Sequence, residues 1–153
     1  IGLDLPAHMF GKTTDIFEFI RGLHAETPID ALLIDESQFL SETQVFQCAK
    51  IVDDLEIPVM CYGLKTDFLG KLFTGSEALL RLADNLEEIK TICWCGRKAT
   101  QTARIGADGA VVRAGAQIAI GGNDMYTALC RKHFISGEAQ AALPDAKKAQ
   151  NAA

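Results

Sequence analysis

The sequence predicts an α/β fold with a parallel sheet, followed by a small β-rich lobe. Two short, continuous apolar runs, at residues 31–34 and 57–62, are separated by a stretch with helical periodicity. Runs that are apolar throughout, rather than alternating, are typical of strands that a parallel sheet buries on both faces. From Cys93 onward the pattern changes to short strand-like pieces between turn residues, which indicates a second, smaller lobe.

The first lobe is expected to run in the order helix, strand, helix, strand. Residues 14–26 place apolar side chains at helical spacing, and either Thr14 or Asp15 can cap this helix. After the first apolar run, Ser41 and Gln44 form a capping-box pair that opens a second helix. The second apolar run then completes a strand–helix–strand unit, which is the building block of a parallel sheet.

The chain between the second strand and the second lobe is less regular. Residues 63–75 are expected to form a mobile loop, in which Phe68 and Phe73 could either cover a planar ligand or anchor the loop in the core. Ser76 is expected to cap a helix at residues 77–83. A third candidate strand follows at 86–92.

The second lobe and the end of the chain complete the predicted organisation. Strand-like pieces lie at residues 99–105, 110–113 and 117–120. We therefore divide the chain into an α/β domain at 1–92, a lobe at 93–135 and a tail at 136–153. The tail is rich in alanine, glutamine and lysine and is expected to be disordered.

Composition and charge restrict the class of protein. The 153 residues are 48% hydrophobic and 23% charged, and their net charge is −5, which is typical of a folded globular domain. This acidic balance argues against binding to a nucleic acid polymer, because such binding needs a concentrated positive field. No apolar run reaches the roughly 20 residues of a membrane span, and no secretory signal is visible. We therefore expect a cytoplasmic protein without nucleic acid or membrane partners.

Two adjacent carboxylates, Asp35 and Glu36, follow the first apolar run. Open parallel sheets bind their ligands at the carboxyl ends of their strands. In phosphoryl-transfer enzymes an aspartate at such a place associates with Mg²⁺, and a neighbouring carboxylate can accept a proton from the nucleophile. The same two residues are equally consistent with a solvated acidic turn between a strand and a helix.

A metal site is predicted from two short-spaced pairs of ligands, one at each end of the second lobe. Two such pairs around a β-rich segment are typical of a zinc ribbon, in which four protein ligands leave the metal a structural role. Gly96 supports this prediction, because a knuckle needs a residue that tolerates positive φ. The alternative is three buried apolar cysteines and an exposed histidine. The predicted ligands are Cys93, Cys95, Cys130 and His133, while Cys48 and Cys61 are assigned to packing.

Five segments of the sequence carry a resemblance to a known family: 33–40, 57–68, 91–99, 120–126 and 130–134. Taken in order, they resemble the zinc-containing thymidine kinases, and specifically their bacterial branch. The resemblance covers roughly residues 1–135, and the Cys-x-Cys and Cys-x-x-His pairs match the ligand set of part of that branch. It implies a P-loop-kinase-like parallel sheet, here without its first strand and phosphate-binding loop, and a zinc-ribbon lobe.

The resemblance implies transfer of the γ-phosphate of ATP to the 5′-hydroxyl of thymidine, a salvage step that supplies DNA synthesis. Glu36 then takes the position of the general base, Asp35 that of the Mg²⁺-associated aspartate, and Gln38 lies in the nucleotide-binding segment. Mg²⁺ with ATP and a structural zinc are the implied cofactors. Feedback inhibition by thymidine triphosphate and a homotetrameric assembly are implied as well.

The resemblance also implies a set of nucleoside contacts. Four apolar residues would pack around the nucleoside, two would supply polar contacts, and a backbone segment would read the thymine base. These residues are, respectively, Phe39, Leu64, Phe68 and Phe73; Thr102 and Tyr126; and Gln117, Ile118, Ala119, Ile120 and Gly121.

One departure from the family is serious. The phosphate-binding loop, Gly-x-x-x-x-Gly-Lys-Ser/Thr, is absent, and the string at residues 11–13 has Pro6 where the first glycine belongs. We therefore expect a chain that is incomplete at its N-terminus and inactive as it stands, because that loop stabilises the transferred phosphate. The alternatives are a degenerate nucleoside- or nucleotide-binding module and a zinc-ribbon interaction module without catalysis.

Overall fold

A computed structural model describes residues 6–117 and 125–139 of the chain. The described residues up to Lys65 pack with Phe73–Leu86 into one compact unit, which we call the helical unit. Thr66–Leu72 and the described residues from Glu87 onward form a second, which we call the cysteine unit. Within these ranges, no helix combines the length and apolar character that crossing a bilayer takes.

The helical unit has a mixed α/β fold, as predicted. Helix α1 spans Ile16–Glu26 and helix α2 spans Glu42–Leu55. The predicted caps of these two helices are confirmed: Asp15 accepts a hydrogen bond from the Glu18 amide, and Ser41 and Gln44 form a complete capping box. Each cap satisfies amides that the first turn of a helix leaves without partners.

Strand β1, Leu32–Ile34, pairs in parallel with strand β2, Val59–Cys61. Leu33 lies opposite Met60 in this register. Because α2 lies between the two strands in the chain, the predicted strand–helix–strand unit is confirmed. The described residues include no further strand of this sheet, so the P-loop-kinase-like sheet stays a prediction.

One core cluster holds the helical unit together, and most of its buried residues come from α1, α2 and β1. Cys48 is buried in this cluster, and Cys61 packs against it, as their assignment to packing predicted. The hydrogen bond between the Cys48 and Cys61 side chains, together with burial, raises the pKa of the Cys48 thiol. The buried members are Ile16, Ile20, Ile34, Leu40, Val45, Cys48, Ile51, Ile57 and Ala78.

Helix α3 begins earlier than predicted. It spans Thr74–Leu82 and follows Phe73, and Ser76 does not cap it. The Ser76 hydroxyl instead donates to the Leu64 carbonyl at 2.6 Å. The two phenylalanines of the preceding segment, Phe68 and Phe73, are both buried, which favours their role as anchors over the predicted mobile loop.

The cysteine unit contains two antiparallel strand pairs and a short helix. Its strands are shorter than predicted: only the last two residues of 86–92 are in a strand, and 99–105 is divided at Thr100. The piece at 110–113 is reduced to one bridge, between Val111 and Ile105, and most of 117–120 lies outside the described residues. The elements are β3, Thr91–Ile92, paired with β4, Lys98–Ala99; β5, Gln101–Arg104, paired with β6, Tyr126–Leu129; and α4, Arg131–Ser136.

The two domain boundaries and the disordered tail stay predictions. Helix α4 includes Ser136, the first residue of the predicted tail, and the Gly137 that follows has a φ of 79°. Such a left-handed glycine is the usual end of a helix. Residues 140–153 lie outside the described part of the chain.

Gly75 lets α3 approach the short turn that follows β1, and replacing it should destabilise the helical unit. A Cβ at Gly75 would lie 2.5 Å from the Ser37 carbonyl oxygen, so Gly75→Ala should lower the free energy of unfolding by about 1–3 kcal/mol. Gly22→Ala is the matched control, because a Cβ there meets nothing within 4 Å and an alanine stabilises a helix interior by about 1 kcal/mol. Urea unfolding of both variants checks this, and an unchanged midpoint for Gly75→Ala would contradict it.

Candidate active site and metal centre

The acidic pair lies where β1 ends. Asp35 and Glu36 are both exposed, and Glu36 adopts a left-handed backbone with φ 52° and ψ 34°. Its amide donates to Asp35 Oδ1 at 2.8 Å. A left-handed residue other than glycine is uncommon and is concentrated at functional sites, so this turn is more specifically shaped than a plain solvated turn.

Gln38 links the Glu36 carboxylate to the chain after β2. The Gln38 side chain is buried; its Nε2 donates to Glu36 Oε2 and its Oε1 accepts from the Leu64 amide at 3.0 Å. Gly63 makes room for this link, because a Cβ there would lie 2.5 Å from Gln38 Oε1. Sequence reasoning placed Gln38 in a nucleotide-binding segment. Its amide group bonds to Glu36 and Leu64 within the protein, and its place in a nucleotide-binding segment stays a prediction.

Ser37 is a residue of this turn that sequence reasoning missed. It is buried, and both its amide and its hydroxyl donate to the Tyr62 carbonyl, at 2.9 and 2.8 Å. These bonds fasten the turn to the end of β2. The only signal in the sequence was a small hydroxyl residue between Glu36 and Gln38. Such a pattern is too common to predict that Ser37 fastens the turn.

Aromatic candidates occur in each unit. In the helical unit, the rings of Phe39 and Phe73 meet edge to face with their centroids 5.7 Å apart, and Leu64 is half-exposed. In the cysteine unit, the guanidinium of Arg104 lies against the rings of both Phe68 and Tyr126.

The polar candidates of the cysteine unit lie on and beside β5. Thr102 precedes Arg104 by two residues on this strand, so the two side chains share a face. Tyr126 is opposite Arg104 in the β5–β6 register. The side chain of Gln117 donates to Asp67 at 3.1 Å, while Ile118, Ala119, Ile120 and Gly121 lie outside the described residues.

The four predicted metal ligands come together in the cysteine unit. The sulfurs of Cys93, Cys95 and Cys130 and a ring nitrogen of His133 all lie within 4.8 Å of one another. The Cys95 and Cys130 sulfurs are 3.9 Å apart, and the Cys93 sulfur is 3.5 Å from His133 Nδ1. A tetrahedral zinc requires separations of about 3.8 Å between sulfurs and about 3.5 Å between sulfur and nitrogen. The donor set and the spacing therefore both fit zinc.

The electrostatics of the cluster favour thiolate at one position. Burial raises the pKa of Cys93, but hydrogen bonds from the backbone of Cys95 and Cys130 and from His133 outweigh it and lower the pKa to about 6. A hydrogen bond from the Arg97 amide lowers the pKa of Cys95, yet burial and the neighbouring sulfurs leave it raised. Gly96, with a φ of 81°, supplies the predicted positive-φ turn of the knuckle.

His133 is held by two residues that sequence reasoning missed. The Trp94 ring stacks on the imidazole, with centroids 4.4 Å apart and planes at 7°. Glu138 Oε2 lies 3.5 Å from His133 Nε2, and the Glu138 carbonyl accepts from the Trp94 indole at 3.2 Å. Because Nε2 faces a carboxylate, Nδ1 is the ring nitrogen that remains to face the cysteine sulfurs. A carboxylate on the other ring nitrogen is the usual support of a metal-bound histidine. In the sequence, the signal for this support was the position of Trp94 between two of the ligand cysteines.

Comparison with known proteins decides the family. A family model described as thymidine kinase matches residues 3–134. A thymidine kinase of Mesorhizobium japonicum is 53% identical over 145 residues, which are 95% of this chain and 71% of the relative. The chain belongs to the thymidine kinase family.

Two further relatives agree with this assignment. A thymidine kinase of Novosphingobium aromaticivorans is 53% identical over 140 residues, 92% of this chain and 73% of the relative. One of Agrobacterium fabrum is 53% identical over 135 residues, 88% of this chain and 70% of the relative. The predicted family and enzyme class, a thymidine kinase, are therefore confirmed, and no comparison favours a module without catalysis.

Zinc binding by this thymidine kinase chain should depend on Cys130. We expect one zinc per wild-type chain and loss of that zinc in Cys130→Ser, because a neutral hydroxyl replaces a thiolate ligand. Elemental analysis of the purified proteins measures this directly. Cys61→Ser is the matched control and should keep its zinc, since Cys61 packs in the other unit. Zinc retained at full stoichiometry in Cys130→Ser would exclude the assigned ligand set.

Trp94 should report on the metal, because it is the only tryptophan of the chain and stacks on a ligand. Removing zinc with a chelator should release the imidazole and shift the tryptophan emission to longer wavelength. Trp94→Ala should weaken zinc binding about tenfold, as expected for a residue that orients a ligand, while Trp94→Phe keeps a stacking ring and stays closer to wild type. Identical zinc affinities in a chelator competition would show that the stack does not support the site.

Proposed function

We propose that this chain carries the proton-accepting carboxylate and the nucleoside contacts of a thymidine kinase, with thymidine and ATP as substrates. The observation that carries the proposal is the turn after β1, in which Gln38 holds the Glu36 carboxylate. Family membership supplies the substrates. What remains to be tested is the role of each residue.

Glu36 is proposed as the general base. One of its carboxylate oxygens accepts from Gln38, and within the described residues the other has no side-chain donor. This second oxygen is the one that would accept the proton of the thymidine 5′-hydroxyl as that oxygen attacks phosphorus. Because the hydrogen bond from Gln38 fixes the carboxylate, less orientational freedom is lost when the substrate binds.

Asp35 is proposed as the residue associated with Mg²⁺ and ATP. Its Oδ1 accepts from the Glu36 amide, so Oδ2 is the oxygen that would hold the ion or one of its waters. An exposed carboxylate beside a strand end fits Mg²⁺, which takes one or two carboxylates together with phosphate oxygens. Bound Mg²⁺ would neutralise charge on the transferred phosphate.

Nucleoside contacts are proposed separately for each unit. In the helical unit the apolar contacts are Phe39, Leu64 and Phe73. In the cysteine unit Phe68 is the apolar contact, Thr102 and Tyr126 are the polar contacts, and the backbone of residues 117–121 reads the base. Both sets are supported by their match to family positions and by the aromatic contacts within each unit.

Zinc is proposed as a structural ion. Four protein ligands would leave it no open position for substrate, and Cys93 and Cys130 stand at the two ends of the lobe. Inhibition by thymidine triphosphate, a homotetramer and a cytoplasmic location stay predictions from the resemblance and composition.

The 153-residue chain should bind thymidine without turning over ATP. Its sequence contains no Gly-x-x-x-x-Gly-Lys-Ser/Thr string, so the amides and lysine that stabilise the transferred phosphate are missing. Calorimetric titration with thymidine and a coupled kinase assay measure the two properties. Ordinary turnover by these 153 residues would contradict the expectation, and no thymidine binding would favour the interaction-module alternative.

A fusion that supplies a family phosphate-binding segment ahead of residue 1 tests Glu36. Turnover should appear in the fusion, and Glu36→Gln should lower kcat by about 10²–10⁴-fold with thymidine affinity within a few-fold of the parent. Glu42→Gln is the matched control, because Glu42 is an exposed carboxylate of α2. Equal kcat values for parent and Glu36→Gln would remove Glu36 from the proposed role.

A further inference from the structure

Arg104 has an unusual environment for an arginine. Only 8% of it is exposed, and no carboxylate pairs with it among the described residues. Its guanidinium carbon lies 3.7 Å from the centroid of the Phe68 ring and 5.6 Å from that of Tyr126. A buried arginine is normally paired, so two aromatic faces are the main electrostatic support of this charge.

The same guanidinium holds residues 115–117, which we call the strap. Arg104 Nη2 donates to the Ala116 carbonyl at 3.0 Å. A Cβ on Gly115 would lie 3.6 Å from Arg104 Nη1 and 4.0 Å from the Phe68 ring, so the strap backbone packs against both side chains. Gly115 has a φ of 130°, a conformation that glycine adopts more readily than other residues.

Asp67 holds the far end of the strap. Its Oδ2 accepts from Gln117 Nε2 at 3.1 Å, and its Oδ1 accepts from the Leu69 and Lys71 amides at 2.9 Å each. The carboxylate is buried and fixed by its own loop, so it is a rigid point of attachment. Arg104, which stacks on Phe68, therefore binds the strap at Ala116. Asp67, which precedes Phe68 in the chain, binds it at Gln117.

Arg104 also has an unused donor. Its Nε is buried and has no hydrogen-bond acceptor within the described residues. Buried donors without acceptors are rare in folded proteins. Among the described residues, the hydrogen bond of the guanidinium goes to the strap instead, at the Ala116 carbonyl.

We propose that Arg104 and Asp67 are positioning residues of the nucleoside site. They hold the strap against Phe68 before thymidine binds, so that binding does not have to order this segment. The inference rests on the proposed function, in which Phe68, Tyr126 and the Gln117 backbone contact thymidine. Arg104 acts through these neighbours, and an experiment can distinguish this role from direct contact between Arg104 and thymidine.

Nuclear magnetic resonance of the 153-residue chain tests the proposal with three variants. Arg104→Met keeps an unbranched side chain against Phe68 but has no N–H groups. Arg104→Lys keeps a charged donor but loses the planar guanidinium. Arg97→Met is the control, at an exposed arginine of the same unit. Zinc content and the spectrum of the helical unit verify folding. Backbone order parameters of the strap and a thymidine titration are measured on the same samples.

In wild type and Arg97→Met the strap amides should have order parameters near those of rigid backbone, about 0.85, and in Arg104→Met they should fall toward about 0.6. Thymidine should bind Arg104→Met about tenfold more weakly, with Arg104→Lys in between. If Arg104→Met loses its zinc, Gln117→Ala replaces it. That substitution of an exposed residue removes only the link to Asp67 and should loosen the strap to a smaller degree.

The possible outcomes distinguish a failure of the positioning role from a failure of the proposed function. A rigid strap in Arg104→Met, or a loosened strap with unchanged thymidine affinity, overturns the positioning role while the proposed function stands. Weaker thymidine binding with a rigid strap also overturns it, because that result requires direct contact. If the wild-type chain binds no thymidine, the proposed function fails, and the order parameters still decide whether Arg104 holds the strap.

Discussion

Four potential metal-ligand atoms bring two distant segments of the chain together in the cysteine unit. Its buried cluster consists largely of small residues, with two alanines and two of the ligand cysteines beside Leu129 and Phe134. Burial of small residues offsets less of the entropy of ordering the strands than burial of large ones. A metal bound by Cys93, Cys95, Cys130 and His133 would add stability to this unit, because such sites form only in the folded state.

In the helical unit, hydrogen bonds fix two exposed carboxylates, Asp35 and Glu36, at the end of a strand. Backbone amides alone do not orient the side chain of Glu36. The buried amide group of Gln38 does so, and it is itself fixed by the Leu64 amide. Glycines at positions 63 and 75 allow the neighbouring backbone to come this close. The structure thereby places a flexible, charged residue on a rigid support.

Sequence patterns predicted the parts of the molecule that follow from local chemistry. Capping residues and continuous apolar runs located α1, α2, β1 and β2, and ligand spacing located the Cys/His cluster. The patterns failed where distant contacts decide the outcome. Ser76 has the chemistry of a cap but bonds to Leu64 instead, and residues 86–90, which were expected to belong to a strand, are in no strand of the described chain. Arg104, Trp94 and Glu138 were missed because their importance lies in their neighbours, which the sequence does not specify.

X-ray absorption at the zinc edge of the purified chain tests the central claim most directly. The account requires zinc surrounded by three sulfurs at about 2.3 Å and one nitrogen at about 2.0 Å. A shell of four sulfurs, a shell of oxygen and nitrogen alone, or a folded chain with no zinc to measure would contradict it.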